Sequence, residues 1–299
     1  MTTDASSGPP RLVRTIAELR ALLGAHRRQG HRIGFVPTMG YLHAGHVALM
    51  TEARARTDVV VVSIFVNPTQ FAPNEDLAVY PRDLPRDLAA CAGAEVAYVF
   101  HPDVAEMYPS PGATVVQVPS LSRGLCGRSR PSHFAGVCTV VSKLFNIVQP
   151  DVAVFGQKDY QQLAVIRQMV RDLDFPVEIV GEPTMREADG LAMSSRNGNL
   201  TPETRQQALV LSRGLFAARD RFLAGERDQA ALCAVIEDTL RSAPLVVIDY
   251  IEVVDADSLE AMPEQLADRA VIAIACKVGP TRLIDNILLD AAQAPGATP

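Results

Sequence analysis

The chain has no Trp, and aromatic residues make up only 5% of its 299 positions. A buried core must therefore rest on Val, Leu, Ile and Ala. Positive charge is not in surplus either. The 28 Lys and Arg against 34 Asp and Glu leave a formal charge of −6, which argues against nucleic acid or an anionic membrane as the main partner. The five cysteines (Cys91, Cys126, Cys138, Cys233 and Cys276) are an odd number, scattered and without a CxxC pair. That excludes a disulfide framework or a zinc knuckle, and they read as reduced, mostly buried small hydrophobes. No apolar run approaches 18 residues, and the opening MTTDASSGPP lacks a basic segment followed by an apolar one. A soluble cytoplasmic protein is the expectation. Missing as well are a GxxxxGK[ST] loop, a GxGxxG after the first strand, GxSxG and HExxH. Any use of ATP has to rest on other clusters.

What is present is a hydrophobic content of 48%, enough for one large domain or two modest ones. Residues 1–10 and the tail AAQAPGATP are rich in small residues and Pro and read as frayed. Thr15 followed by Glu18 predicts a capped helix to about Gln29. A short strand Ile33–Val36 then leads through a Gly-containing loop to a helix from His43 to near Arg56. Val59 to Val66 is apolar but for Ser63 and mostly β-branched, the pattern of a strand buried on both faces. The alternation continues with helix 84–92, strand 95–100, helix 134–148, strand 152–155, helix 160–173 and strand 177–180. Strands alternating with helices imply right-handed crossovers and a doubly wound parallel sheet, an α/β fold. After residue 182 two helices (about 202–223 and 227–241) precede three strands near 245–254, 270–277 and 282–289. That change of order predicts a second, smaller α+β unit, with the boundary placed at 184/185.

Four clusters bear on chemistry. His43-Ala44-Gly45-His46 follows a strand and opens a helix, where free N–H groups and the macrodipole favour phosphate. Two imidazoles three residues apart share a helical face. The competing reading is that they cap and solvate the helix; the strand–loop–helix context favours phosphate. Met193-Ser194-Ser195-Arg196 sets two hydroxyls and a guanidinium on a loop, suited to a triphosphate. A flexible interdomain loop with Gly190 is expected to swing this cluster over ATP; the alternative is an ordinary turn before a helix capped at Thr201. Gly156-Gln157-Lys158-Asp159 follows a parallel strand, where open sheets bind ligands, and Lys158 there can neutralise an α-phosphate. Asp159 suits a helix N-cap better than an acid or base. Lastly, Asn67-Pro-Thr-Gln70-Phe71 and the pair Gln161, Gln162 offer neutral amides for hydroxyl and carboxylate groups. Glu75, Asp76, Arg82 and Asp83 either hold a metal-bound phosphate or face water, and water is favoured for most of them.

These pieces stand in one order: Pro37-Thr-Met-Gly-Tyr-Leu-His-Ala-Gly-His46, Val66-Asn-Pro-Thr-Gln-Phe71, Tyr80-Pro-Arg82, Arg130-Pro-Ser-His-Phe-Ala-Gly136, Gly156-Gln-Lys-Asp-Tyr-Gln-Gln162 and Arg186-Glu-Ala-Asp-Gly-Leu-Ala-Met-Ser-Ser-Arg-Asn197. The series, from about residue 12 to 290, closely resembles the pantothenate synthetase family of HIGH-motif nucleotidyltransferases. The resemblance implies a Rossmann-like domain over 1–184, a smaller lid domain over 185–299 and a homodimer. It implies condensation of ATP, (R)-pantoate and β-alanine to pantothenate, AMP and pyrophosphate with Mg²⁺. By the same resemblance Met39, Gly40, Tyr41, Leu42, His43, Ala44, Gly45, His46, Gly156, Gln157, Lys158, Asp159, Met185, Met193, Ser194, Ser195 and Arg196 bind ATP. Gln70 and Gln162 hold pantoate, Gln70 also lies near β-alanine, and His46 is the proton donor. Cys126 departs from the pattern, standing where an acidic residue is common. Two other functions are weighed beside this one. One is a nucleotidyltransferase of the same superfamily with a phosphorylated acceptor; the other is a non-catalytic nucleotide-binding protein.

Overall fold

In the computed structural model, residues 8–72, 75, 77–110 and 112–293 are described. Of the ends expected to fray, 1–7 and 294–299 lie outside the described residues, as does Asp76. Six strands pair in parallel: β1 (Arg11–Val13), β2 (Ile33–Thr38), β3 (Val59–Ile64), β4 (Tyr98–Phe100), β5 (Val152–Gly156) and β6 (Glu178–Glu182). Their order across the sheet is β1-β4-β3-β2-β5-β6. All six residues of β3 are buried, as a strand covered on both faces requires.

The pleat of β2 shows what covers each face. Gly34 lies against Ala53 and Thr57, where a Cβ would stand 2.4 Å from the Thr57 hydroxyl. Val36 clusters with Leu49, Met50 and Cys91 from the helices Ala44–Arg56 and Leu84–Gly93. Phe35 points the other way and meets Phe145 of the helix His133–Val148 edge-on at 6.4 Å. Helices on both faces make the sheet doubly wound, as expected. From β2 the chain winds outward to β3 and β4, then returns to β5 on the other side of β2. That reversal marks the switch point at which open α/β sheets bind ligands. The β2–β5 ladder covers only Gly34–Phe35 against Val152–Ala153, while β2–β3 pairs six residues and β5–β6 five. The backbone beyond Phe35 and Ala153 is thus unpaired at this junction, toward the carboxyl ends.

Some boundaries differ from expectation. β3 ends at Ile64 rather than Val66, and β4 begins at Tyr98 because Glu95 takes a left-handed φ of 54° to close the preceding helix. β1 was not anticipated; three residues are too few for a readable period.

The chain divides into two compact units. One holds the stretches up to Pro119, Arg130–Gln157 and Val165–Pro183; the other holds Ser120–Ser129, Lys158–Ala164 and everything from Thr184. In the second unit β7 (Val246–Val254), β8 (Arg269–Val278) and β9 (Thr281–Asp290) form an antiparallel sheet in that order. One face of β8, with Ile272, Ile274 and Cys276, packs with Leu215 and Phe222 of the helix Val210–Leu223 and Ile236 of the helix Gln229–Arg241. Its other face, with Val271 and Ala273, packs with Leu125 and Tyr160. The helix expected over 202–223 is two, Pro202–Ala208 and Val210–Leu223.

Candidate active site

The turn leaving β2 is shaped by its main chain. Gly40 and Tyr41 both take left-handed conformations, with φ of 84° and 53°. This turns the successive N–H groups of Tyr41 and Leu42 onto the carboxylate of Asp87, at 2.9 and 2.7 Å. A Cβ on Gly40 would stand 2.9 Å from Asp87 Oδ2, so the close approach needs glycine. Asp87 is 1% exposed. Burial pushes its carboxyl above the usual range, opposed by the hydrogen bonds from Leu42 and Tyr41. Sequence reasoning missed this residue. Its signal is an acid inside the apolar stripe Leu84, Leu88, Cys91 of its helix.

The next element begins with two histidines that cap it reciprocally. Gly45 N donates to His43 Nδ1 at 3.1 Å, and His43 N donates to His46 Nδ1 at 3.3 Å. The ring centroids are 4.0 Å apart. A backbone N–H only donates, so both Nδ1 atoms accept these bonds. The cap engages Nδ1 of each ring. Ala44 and Gly45 are the first residues of this helix, and Leu42 is buried beneath it.

Gln70 ends a short turn after β3 and is buried. Its Oε1 accepts from Asn67 Nδ2 at 3.1 Å and its Nε2 reaches Met39 Sδ at 3.0 Å. The main-chain carbonyl of Gln70 accepts from His133 Nδ1 at 3.0 Å and Arg130 Nη2 at 3.3 Å. Arg130 also forks onto Glu75 with two 2.6 Å bonds, which hold that carboxyl below its usual range. Glu75 thus pairs with Arg130 instead of facing water or a metal-bound phosphate. Arg82 and Asp83 have local tasks too: Arg82 donates to Tyr80 O at 3.0 Å, and Asp83 accepts from Arg86 N at 3.1 Å as a helix cap. Gly156 closes β5, and Gln157 reaches Gly181 O at 3.1 Å across to β6.

In the second unit Lys158 sits in the one-turn helix Gln157–Asp159, its Nζ 3.9 Å from the Asp159 carboxylate. Asn286 Nδ2 holds the Lys158 carbonyl at 2.7 Å. Of the two glutamines that follow, Gln161 is buried and fully engaged. It accepts from Cys126 N at 3.0 Å and donates to the carbonyls of Leu121 and Gly124, both at 2.9 Å. These bonds hold the segment 120–129. Gln162 is half-buried. Cys126 lies 3.2 Å from the Tyr250 hydroxyl.

The Arg186–Asn197 loop, expected to be flexible at Gly190, is tied to its own unit by side chains. Arg186 forks onto Asp285 at 2.7 and 3.0 Å and lies over the Phe216 ring. Arg205 binds Glu187 at 2.6 Å and Asp189 at 2.7 Å, and Asn197 Nδ2 donates to Glu187 and the Ala192 carbonyl. Gly190, at φ 94°, turns the loop tightly. Within this frame Ser194 caps the turn Ser195–Asn199 by accepting from Arg196 N at 3.3 Å, and Met193 N donates to the carbonyl of the part-exposed Met185 at 3.0 Å. Burial raises the thiols of Cys91 and Cys276 to about 12 and that of Cys138 to about 11, far from thiolate chemistry at neutral pH.

Among the described residues, no three His, Cys, Asp or Glu side chains gather as metal ligands, and no helix is long and apolar enough to cross a membrane.

Comparison with known proteins matches this arrangement to one family. A model of the pantoate–β-alanine ligases covers residues 11–288. The pantothenate synthetase of Moorella thermoacetica is 57% identical over 93% of this chain and 98% of its own. The crystal structure of pantothenate synthetase from Thermus thermophilus superposes with a TM-score of 0.89 at 49% identity, covering 94% of this chain and 99% of that one. A Francisella tularensis pantoate–β-alanine ligase, complexed with β,γ-ATP and β-alanine, gives 0.75 at 35% identity over 93% of this chain and 97% of that one. A parallel sheet with its histidine-capped helix at the switch point, matched nearly end to end in sequence and structure, places the chain in the pantoate–β-alanine ligase family.

Proposed function

We propose that this chain condenses (R)-pantoate with β-alanine, using ATP, to give pantothenate, AMP and pyrophosphate. The observation that carries the reading is the reciprocal cap of His43 and His46 at the carboxyl end of β2, in a chain of the ligase family. It sets both imidazoles at a helix N-terminus, where backbone N–H groups and the macrodipole favour a phosphate chain. The alternative of a phosphorylated acceptor has no comparable support.

In the first step a pantoate carboxylate oxygen attacks the α-phosphorus in line, the bond to the β-phosphate oxygen breaks, and pyrophosphate leaves. Two anions are brought together, so their repulsion must be offset where charge develops. His43 and His46 act on the phosphate chain, with His46 as the proton donor, while Lys158 and Arg196 supply fixed positive charge. Gln70 and Gln162 hold the acid, and Gln70 is also near β-alanine. The stretch Met39–His46, together with Gly156, Gln157, Asp159, Met185, Met193, Ser194 and Ser195, forms the rest of the ATP contacts. Mg²⁺ bound with ATP would help to offset phosphate charge, with no protein ligand assigned and no step resting on it. In the second step the free amine of β-alanine attacks the acyl carbon, AMP departs and the amine loses a proton. No enzyme nucleophile is needed.

The labour divides between a nucleotide- and pantoate-binding part over 1–184 and a lid over 185–299 carrying the Met193–Arg196 loop. A cytoplasmic homodimer completes the proposal. The test is AMP release with ATP, pantoate and β-alanine, omitting each in turn. The expected result is AMP only with all three, and pantoate-dependent pyrophosphate exchange without β-alanine. AMP release that ignores pantoate overturns the reading. Lys158→Ala should slow adenylate formation by about 10²–10³, the cost of one charge-stabilising donor.

A further inference from the structure

An amide side chain has a donor end and an acceptor end, and at Gln70 the direction is set from outside. Asn67, 1% exposed, is itself fixed by two main-chain groups of unambiguous polarity. The Thr69 N–H, which only donates, lies 3.4 Å from Asn67 Oδ1, and the Gly136 carbonyl, which only accepts, lies 3.2 Å from Asn67 Nδ2. The hydroxyl of Tyr108 adds a 2.9 Å bond to the same Oδ1 and that of Thr69 adds one of 3.0 Å. Turning the Asn67 amide over would set NH₂ against N–H and carbonyl against carbonyl. Nor can the surroundings yield, because a Cβ on Gly136 would stand 2.4 Å from the Thr69 carbonyl. Asn67 Nδ2 therefore claims Gln70 Oε1, and the NH₂ end of Gln70 is turned to Met39 Sδ, a weak acceptor that a substrate oxygen outcompetes.

We propose that Asn67, braced by Tyr108, is a positioning residue that commits Gln70 to donate, so that the site selects ligands presenting an acceptor oxygen there. The inference rests on the role of Gln70 in holding pantoate. It makes the carboxylate or hydroxyl oxygens of the acid the recognised feature and disfavours an analogue that presents a donor at that point.

The test is steady-state kinetics on the full-length enzyme, with KM for pantoate and for ATP measured separately and thermal melts to check folding. Asn67→Asp removes the NH₂ that holds Gln70 Oε1, so Gln70 turns its own NH₂ inward and its carbonyl toward the substrate. KM for pantoate should rise about tenfold or more, as an unmade hydrogen bond to a charged group implies, with KM for ATP within about twofold. Pantoamide, the neutral carboxamide of the substrate, should gain as a competitor relative to pantoate in this variant. Tyr108→Phe, a milder change, should move KM for pantoate the same way by about threefold. Equal rises in both KM values, or an unchanged KM for pantoate in a folded and active Asn67→Asp enzyme, overturn the proposal alone. A wild-type enzyme that ignores pantoate overturns the functional reading and this proposal with it.

Discussion

The two loops that carry most of the phosphate-binding candidates are held by different kinds of force. The turn from Met39 to His46 is held through its main chain: two left-handed residues aim consecutive N–H groups at buried Asp87, and the histidines close the helix end on themselves. The loop from Arg186 to Asn197 is held through side chains, by guanidinium groups that reach acids on other elements. The first arrangement depends on conformation and one buried charge. The second depends on ion pairs, whose worth varies with burial. Both give preorganised donors, which is what stabilising a developing phosphate charge requires. They should fail differently under mutation.

The largest effect is expected at Arg186. Its partner Asp285 is 3% exposed, so Arg186→Ala leaves a buried carboxylate without its counter-charge. The expected loss is about 3–5 kcal/mol in urea unfolding. A loss under about 1 kcal/mol would erase the distinction between this pair and a surface one. Next comes Asp87→Ala, which strips the acceptor from Tyr41 N and Leu42 N. The expected loss is smaller, about 1.5–3 kcal/mol, because removing Asp87 also removes the cost of burying it. Its kinetic mark is a raised KM for ATP as the turn loosens. An unchanged KM would mean that Gly40 and Tyr41 hold the turn without it.

How far each loop could be read from sequence follows the same division. Strand β3 is legible because Val59–Ile64 is apolar at every position but Ser63, and the histidine-led helix because it closely follows a strand. The clusters at 43–46, 156–159 and 193–196 are contiguous and stand out along the chain, while Met39–Leu42 and Met185 enter only through the family resemblance. What lies hidden is the partner far along the chain. Asp87 is 45 residues from Leu42, and Asp285 is 99 from Arg186. Gln161 and Gln162 look alike as letters, yet the helix turns Gln161 onto three main-chain groups of the 120–129 segment. Gly190 suggested freedom in a loop that two arginines in fact tie down. Glu75 pairs with Arg130, 55 residues on, a partner that nothing local reveals.

Acid titration contrasts two carboxylates of the first unit. Glu75 is held below its usual range, first by its hydrogen bond from Arg130, so its contribution is present above its unfolded value and lost as pH falls through its folded one. Asp87 is pushed up by burial, so its contribution has the opposite sign: present below its unfolded value and lost as pH rises through its folded one. In melts from about pH 3 to 7, the stability gap between wild type and Glu75→Gln should widen as pH rises. The gap between wild type and Asp87→Asn should narrow or reverse over the same range. Gaps of the same slope would show that the hydrogen bonds from Tyr41 and Leu42 outweigh the burial of Asp87.

The smallest effect is expected at Arg205, although it touches the same loop as Arg186. Arg205 is 31% exposed, and its partners Glu187 and Asp189 are 28% and 31% exposed. Water and salt reach all three groups, so each pair contributes about 0.2–1 kcal/mol. Arg205→Ala should therefore cost far less than Arg186→Ala. Its cost should also shrink further in about 1 M salt, where screening acts over about 3 Å. The buried Arg186–Asp285 pair should respond weakly to the same salt. If Arg205→Ala proved as costly as Arg186→Ala and indifferent to salt, charge pairing would not be its role. The loop would then depend on where Arg205 places Glu187, whose other oxygen accepts from Asn197 beside Arg196. In that case the guanidinium would act as a spacer for the Ser194–Arg196 turn, and Arg205→Lys, which keeps the charge but not the planar guanidinium, would fail as badly as alanine.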